Sequence, residues 1–97
     1  MKTLDEIKTI LRQHRGVLAE KYGIAVVGIF GSYVRGEQKS TSDLDLLVEF
    51  VHPISILELV GAEIYLADVL GIKTDLVPKR DVRAELREII HKEAVAL

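Results

Sequence analysis

Ninety-seven residues suffice for one compact domain with one core, so a single domain over residues 1–97 is expected. Apolar residues make up 48% and charged residues 29%, and a net charge of −2 with a pI near 5.9 argues against non-specific binding to DNA or RNA. Zero cysteines exclude disulfides, thiolate catalysis and a cysteine zinc site, and no apolar run approaches the roughly 20 residues of a membrane span.

The start, Met1-Lys2-Thr3-Leu4-Asp5-Glu6, is amphipathic and acidic rather than signal-like, so a cytoplasmic protein is expected. From Thr3, which fits a capping box with Glu6, apolar Leu4, Ile7, Ile10, Leu11, Val17 and Leu18 predict one helix to about Tyr22, ended by Gly23. Ile24 to Phe30 is apolar on both faces and predicts a buried central strand running into Gly31. Gly31 lets phosphates approach the backbone, and Ser32 is placed to cap a short helix whose first N–H groups face an anion. Arg35, one helical turn on, is a phosphate donor or the partner of an acid in the site.

A polar loop over residues 36–42 then leads into Asp43 to Phe50, which alternates. Leu44, Leu46, Val48 and Phe50 share one face of a strand, and Asp43, Asp45, Leu47 and Glu49 share the other. Side chains two residues apart on a strand lie about 6.5–7 Å from each other, so the Asp43 and Asp45 carboxylates reach toward a common point. Without a cation such a pair repels itself. Oxygen-only ligands favour magnesium or manganese, and two ions about 3.5–4 Å apart fit between them. Glu49, two strand steps beyond Asp45, is left out of the site.

Pro53 and Ser55 open a second helix in which Ile56, Leu59, Val60, Ile64, Ala67, Val69 and Leu70 make a broad apolar face before Gly71 stops it. In Ile72 to Val77, Asp75 lies opposite the face of Ile72, Thr74 and Leu76. If this strand neighbours the first acidic one, Asp75 completes a three-carboxylate cluster, binds the metal nearer an attacking hydroxyl and helps take its proton. Asp81 to about Lys92 predicts a charged helix with Val82, Leu86, Ile89 and Ile90 turned inward, and residues 94–97 predict a last short strand. The charges of that helix read as a solvated face with i,i+4 pairs. Tyr33 and Tyr65 read as packing residues, and His14, His52 and His91 lack metal-ligand spacing.

Gly31 and Gly36 have the glycine spacing of a P-loop, but Glu37-Gln38 follows where Lys and Ser or Thr are required, and G-x-G-x-x-G is absent. The arrangement that is present, Gly31-Ser32, ten residues, then Asp43-Leu44-Asp45, resembles the signature of the DNA polymerase β-like nucleotidyltransferases, specifically their minimal MNT branch. The likeness covers nearly the whole chain. It implies an α/β (α+β) fold, a palm-like mixed sheet with helices on one face, and magnesium-dependent use of ATP with release of pyrophosphate. Gly31, Ser32 and Arg35 would contact the nucleotide, and Asp43, Asp45 and Asp75 would hold two Mg2+ ions, with Mn2+ as a substitute. Many minimal members of this family resemble the antitoxin of a toxin–antitoxin pair, which transfers AMP to a tyrosine hydroxyl of a HEPN-domain ribonuclease.

A chain this short is expected to carry no acceptor-presenting domain of its own, so the acceptor surface is expected on another protein, in a hetero-oligomer. DNA and membranes are not expected partners. The alternative is a non-catalytic nucleotide-binding module that neutralises its partner by masking it.

Overall fold

Thr3 opens the first helix reciprocally: its hydroxyl accepts from the Glu6 N–H at 3.2 Å, and the Glu6 carboxylate accepts from the Thr3 N–H at 3.1 Å. The computed structural model describes residues 2–39 and 41–97; Met1 of the acidic start and Ser40 of the predicted polar loop lie outside the described residues. Helix α1 covers Leu4–Gln13 and α2 covers Arg15–Tyr22, so the single helix expected to Tyr22 is two. The break is at His14, with φ −100° and ψ 8°, whose ring Nδ1 lies 2.5 Å from the Tyr65 hydroxyl. This bend resets the helical face. Ile7, Leu11 and Leu18 are buried, whereas Val17, expected inside, is exposed.

Four strands follow: β1 (Ile24–Phe30), β2 (Leu44–Phe50), β3 (Thr74–Pro78) and the short β4 (Val95–Ala96), in the spatial order β3-β2-β1-β4. β1 runs antiparallel to β2 and β4, and β2 runs parallel to β3, so the sheet is mixed as predicted. A parallel pair needs a crossover, supplied by α4 (Ile56–Leu70). Leu44, Leu46 and Val48 of β2 are fully buried with Ile24 and Ile29, and with the nearly fully buried Leu76, against Ile7, Leu11, Leu18, Ala62, Leu66 and Leu70. The helices α1, α2 and α4 thus cover one face of the sheet.

The other face is more open. A one-residue bulge at Val27 shifts the register of β1 against β2, so Ile24 and Ile29, an odd interval apart, both reach the core. Gly28 and Phe30 then pair with Leu47 and Asp45. After a 3-10 turn at Lys79–Asp81, α5 (Ala84–Glu93) stands over this face and leaves a cavity of about 220 Å³ lined by Leu47, Val82, Arg87 and Ile90. Val82 is buried as expected, but Leu86 and Ile89 are exposed and no residue of α5 is buried.

The α4 helix is capped as its sequence predicts, with Ser55 Oγ accepting from the Glu58 N–H at 3.2 Å and the Glu58 carboxylate accepting from the Ser55 N–H at 3.1 Å. Ser55→Ala is expected to cost about 1 kcal/mol. In a domain of this size that lowers the melting temperature by roughly 4–8 °C, measurable by circular dichroism. An unchanged melt would show that packing, not the cap, fixes the start of α4.

Candidate functional site

Asp45 is the second residue of β2, between the buried Leu44 and Leu46, so its side chain faces the more open side of the sheet. Its register partner across the parallel ladder is Asp75 of β3, and across the antiparallel ladder Phe30, the last residue of β1. Register partners share a face, and neighbouring strands lie about 4.8 Å apart. The structure therefore brings Asp45 and Asp75 side by side.

Gly31 follows Phe30 and makes the turn, with φ 83° and ψ −155°. That conformation is essentially restricted to glycine. The space where a side chain would begin is taken: a Cβ at Gly31 would lie 3.0 Å from Asp45 Cγ and collide with the carboxylate itself. Asp45 thus rests directly on the glycine turn, which ties the two motifs together.

Past the turn, α3 is a single helical turn, Ser32–Arg35. Gly31 occupies its N-cap position and makes no side-chain cap bond, and Ser32 is the first helical residue, not the cap that the sequence suggested. The Gly31 carbonyl accepts from the N–H groups of Val34 and Arg35 at 3.1 and 3.2 Å. The N–H groups of Ser32 and Tyr33 precede the first intrahelical bond and so have no partner within the helix. Tyr33 itself is buried in the core, the packing role expected of it.

Arg35 points its guanidinium at two carboxylates, Glu93 at 3.1 Å and Glu37 at 3.3 Å. The acids of β2 and β3 are not its ion-pair partners. Both pairs are solvated, so each is a weak and exchangeable tether between α3 and its surroundings.

Asp43 stands just before β2, outside the strand in which its sequence had placed it. With Thr41, Ser42, Tyr33 and Lys73 it lines a cleft of about 870 Å³ beside the turn. Its charge still acts on Asp45, whose carboxyl is held above the ordinary aspartate range by burial first, then by Asp75, then by Asp43, with Arg35 pulling the other way. Among the described residues, no three acidic or histidine side chains are gathered as a ready cation cage. The donor set nonetheless suits a hard divalent cation: it is all oxygen, and the repulsion that raises Asp45 is what such an ion relieves.

Three features of this surround lie outside the sequence reading. Gly28 marks the bulge that aligns Phe30 with Asp45, and an isolated glycine inside a strand was the available signal. Glu93 holds Arg35 from 58 residues away and looked like one more charge on a solvated helix. Gln38, in the loop after α3, has a buried side-chain oxygen without a partner among the described residues, and nothing in its sequence context singles it out. Glu49, left out of the site, pairs with Lys79 at 3.3 Å.

The chain matches the nucleotidyltransferase domain family over residues 11–97. It is 55% identical over 82 residues to a candidate protein adenylyltransferase of Methanocaldococcus jannaschii, covering 84% of each chain. It is 42% identical over 95 residues to the protein adenylyltransferase MntA of Thermococcus cleftensis, covering 98% of this chain and 96% of that one. Among solved structures, one described as a candidate minimal nucleotidyltransferase superposes with a TM-score of 0.72 at 36% identity over 94% of this chain and 95% of the other. A complex of tri-AMPylated Shewanella oneidensis HEPN toxin with MNT antitoxin gives a TM-score of 0.63 at 17% identity, over 93% of this chain and 70% of the other, a likeness of fold.

Proposed function

Because the chain belongs to the nucleotidyltransferase domain family, we propose that it is a protein adenylyltransferase antitoxin, moving AMP from ATP to a tyrosine hydroxyl of a HEPN-domain ribonuclease. The observation that carries this reading is the seating of the Asp45 carboxylate on Gly31 with Asp75 across the ladder. A glycine turn lies against one acid with a second acid beside it, which supports reading the turn as the seat of the phosphates.

In this reading residues 1–97 are one catalytic domain working in the cytoplasm. The phosphates of ATP lie against the Gly31-Ser32 turn, where these N–H groups and the Ser32 hydroxyl donate to them. Arg35 exchanges a carboxylate partner for a phosphate oxygen. Asp45 and Asp75, with Asp43 from the cleft side, would hold magnesium, which would neutralise phosphate charge and lower the pKa of the attacking hydroxyl. Exposed Asp75 faces the incoming acceptor and receives its proton. The tyrosine oxygen forms a bond to the α-phosphorus as the bond from that phosphorus to the β-phosphate oxygen breaks, and pyrophosphate leaves. Catalysis is then mostly positioning and charge neutralisation.

The test is to incubate the purified protein with ATP labelled at the α-phosphate, magnesium, and the HEPN-domain protein encoded in the same genome, and to map any label by mass spectrometry. AMP on a tyrosine of the HEPN protein is expected, with loss of on the order of 10²-fold or more in Asp75→Asn. No labelled protein, or equal labelling by Asp75→Asn, would overturn the proposal. Neutralisation of the toxin by a labelling-dead variant would instead identify a masking module.

A further inference from the structure

Helix α4 is apolar nearly all the way round: Glu58, Glu63 and Asp68 are its only charges, and it contains no Lys or Arg. A helix of that kind needs cover on more than one side. The inner side has it, since Ala62, Leu66 and Leu70 are fully buried. The outer side does not. At helical spacing Ile56, Val60 and Ile64, with Leu57 beside them, form a second stripe that is 76%, 44%, 66% and 82% exposed. Monomeric proteins rarely leave so contiguous an apolar patch in water. Ile56, Val60 and Ile64, counted in the broad apolar face expected of α4, thus point away from the core.

We infer that this stripe is the docking surface for the protein that supplies the acceptor hydroxyl, and that the partner meets it with an apolar face rimmed by Lys or Arg. The identity of the partner rests on the adenylyltransferase reading; the chemistry of the surface does not. At 100° per residue Glu63 and Asp68 fall on the two flanks of the stripe. A second copy of the chain laid along α4 would bring acid against acid with no cation on either helix to answer it. A partner with basic flanks gains at both edges, in attraction and in rate of encounter.

The position of the stripe fits a docking role separate from the chemistry. The helix packs on the core face, whereas Asp45 and Asp75 look out from the opposite face. A partner seated on α4 leaves the mouth of the site free for a further segment carrying the acceptor. Binding energy is then collected at a distance from the reacting atoms.

The experiment measures binding of the HEPN-domain protein from the same genome by calorimetry, using the full chain and an Asp45→Asn background that isolates binding from transfer. The double variant Ile56→Lys/Ile64→Lys, at solvent-facing positions and checked for an unchanged thermal melt, is expected to bind at least about 30-fold more weakly. Glu63→Lys/Asp68→Lys is expected to weaken binding about tenfold and to flatten its salt dependence. With Asp45 intact, the stripe variant raises the KM for the HEPN protein and leaves kcat unchanged. Equal binding by the stripe variant, or no binding by the parent chain, overturns the inference. So does a dimer of the protein alone, seen by light scattering, that Ile64→Lys dissociates. The two readings fail separately: AMP transfer that persists with full affinity in the stripe variant sinks only the docking surface, and stripe-dependent binding without AMP transfer sinks only the adenylyltransferase.

Discussion

Asp45→Asn is expected to reduce AMP transfer by at least about 100-fold, equivalent to roughly 3 kcal/mol of preorganised charge stabilisation, while making the metal-free fold more stable at neutral pH. The two effects have one cause. Burial and the charges of Asp75 and Asp43 hold the Asp45 carboxyl above its ordinary range in the folded chain. A group whose folded pKa is raised contributes stability that is fully present below its unfolded pKa and is lost as pH rises through the folded one. Wild-type stability should therefore fall across that window, and the difference from Asp45→Asn, which stays neutral, should widen in favour of the variant. Thermal melts in chelator over a pH series check this. A variant less stable than wild type at pH 7 would show that Asp45 gains more from its surroundings than it suffers from its neighbours. Added magnesium should then raise the melting temperature of the wild type alone, since a ligand at 100 times its Kd contributes about 2.7 kcal/mol to the state that binds it.

The parts of this fold that could be read from the sequence are those whose cause is local. Thr3 with Glu6 and Ser55 with Glu58 are reciprocal caps three residues apart, and both form. Leu44, Leu46 and Val48 alternate with Asp45 and Leu47, and the alternation alone puts Asp45 on the face away from the core. That β3 would lie beside β2, in the register that sets Asp75 opposite Asp45, was a condition the sequence could pose but not answer, because it depends on how α4 carries the chain across. The features that escaped are set by tertiary contact. His14 breaks the first helix and its ring meets Tyr65, 51 residues away. Val27 bulges where the register of β1 against β2 shifts between Val26 and Gly28. The second apolar side of α4 escaped for another reason. Hydrophobic periodicity reports that a face is apolar, not whether this chain covers it, so Ile56 and Leu66 look alike until the fold separates them.

Gly31→Ala is expected to be as damaging to transfer as the loss of a carboxylate, although it removes no functional atom. Two costs combine there. The backbone, at φ 83° and ψ −155°, lies where an alanine is strained by about 1–3 kcal/mol. In addition, the new methyl occupies the place of the Asp45 carboxylate and must push it off the turn. A displacement of about 1 Å at a reacting centre can cost on the order of 10²-fold in rate. Gly36→Ala separates the two contributions, because Gly36 also has a positive φ, 72°, yet a Cβ there would meet nothing within 4 Å. The Gly36 variant should lose about 1–2 kcal/mol of stability, the penalty of a left-handed alanine, and keep most of its activity. The Gly31 variant should lose activity far beyond what its lost stability explains, and its melting temperature should respond little to magnesium. Equal losses of transfer in the two variants would mean that the contact between the turn and Asp45 is incidental, and that the glycine serves the backbone alone.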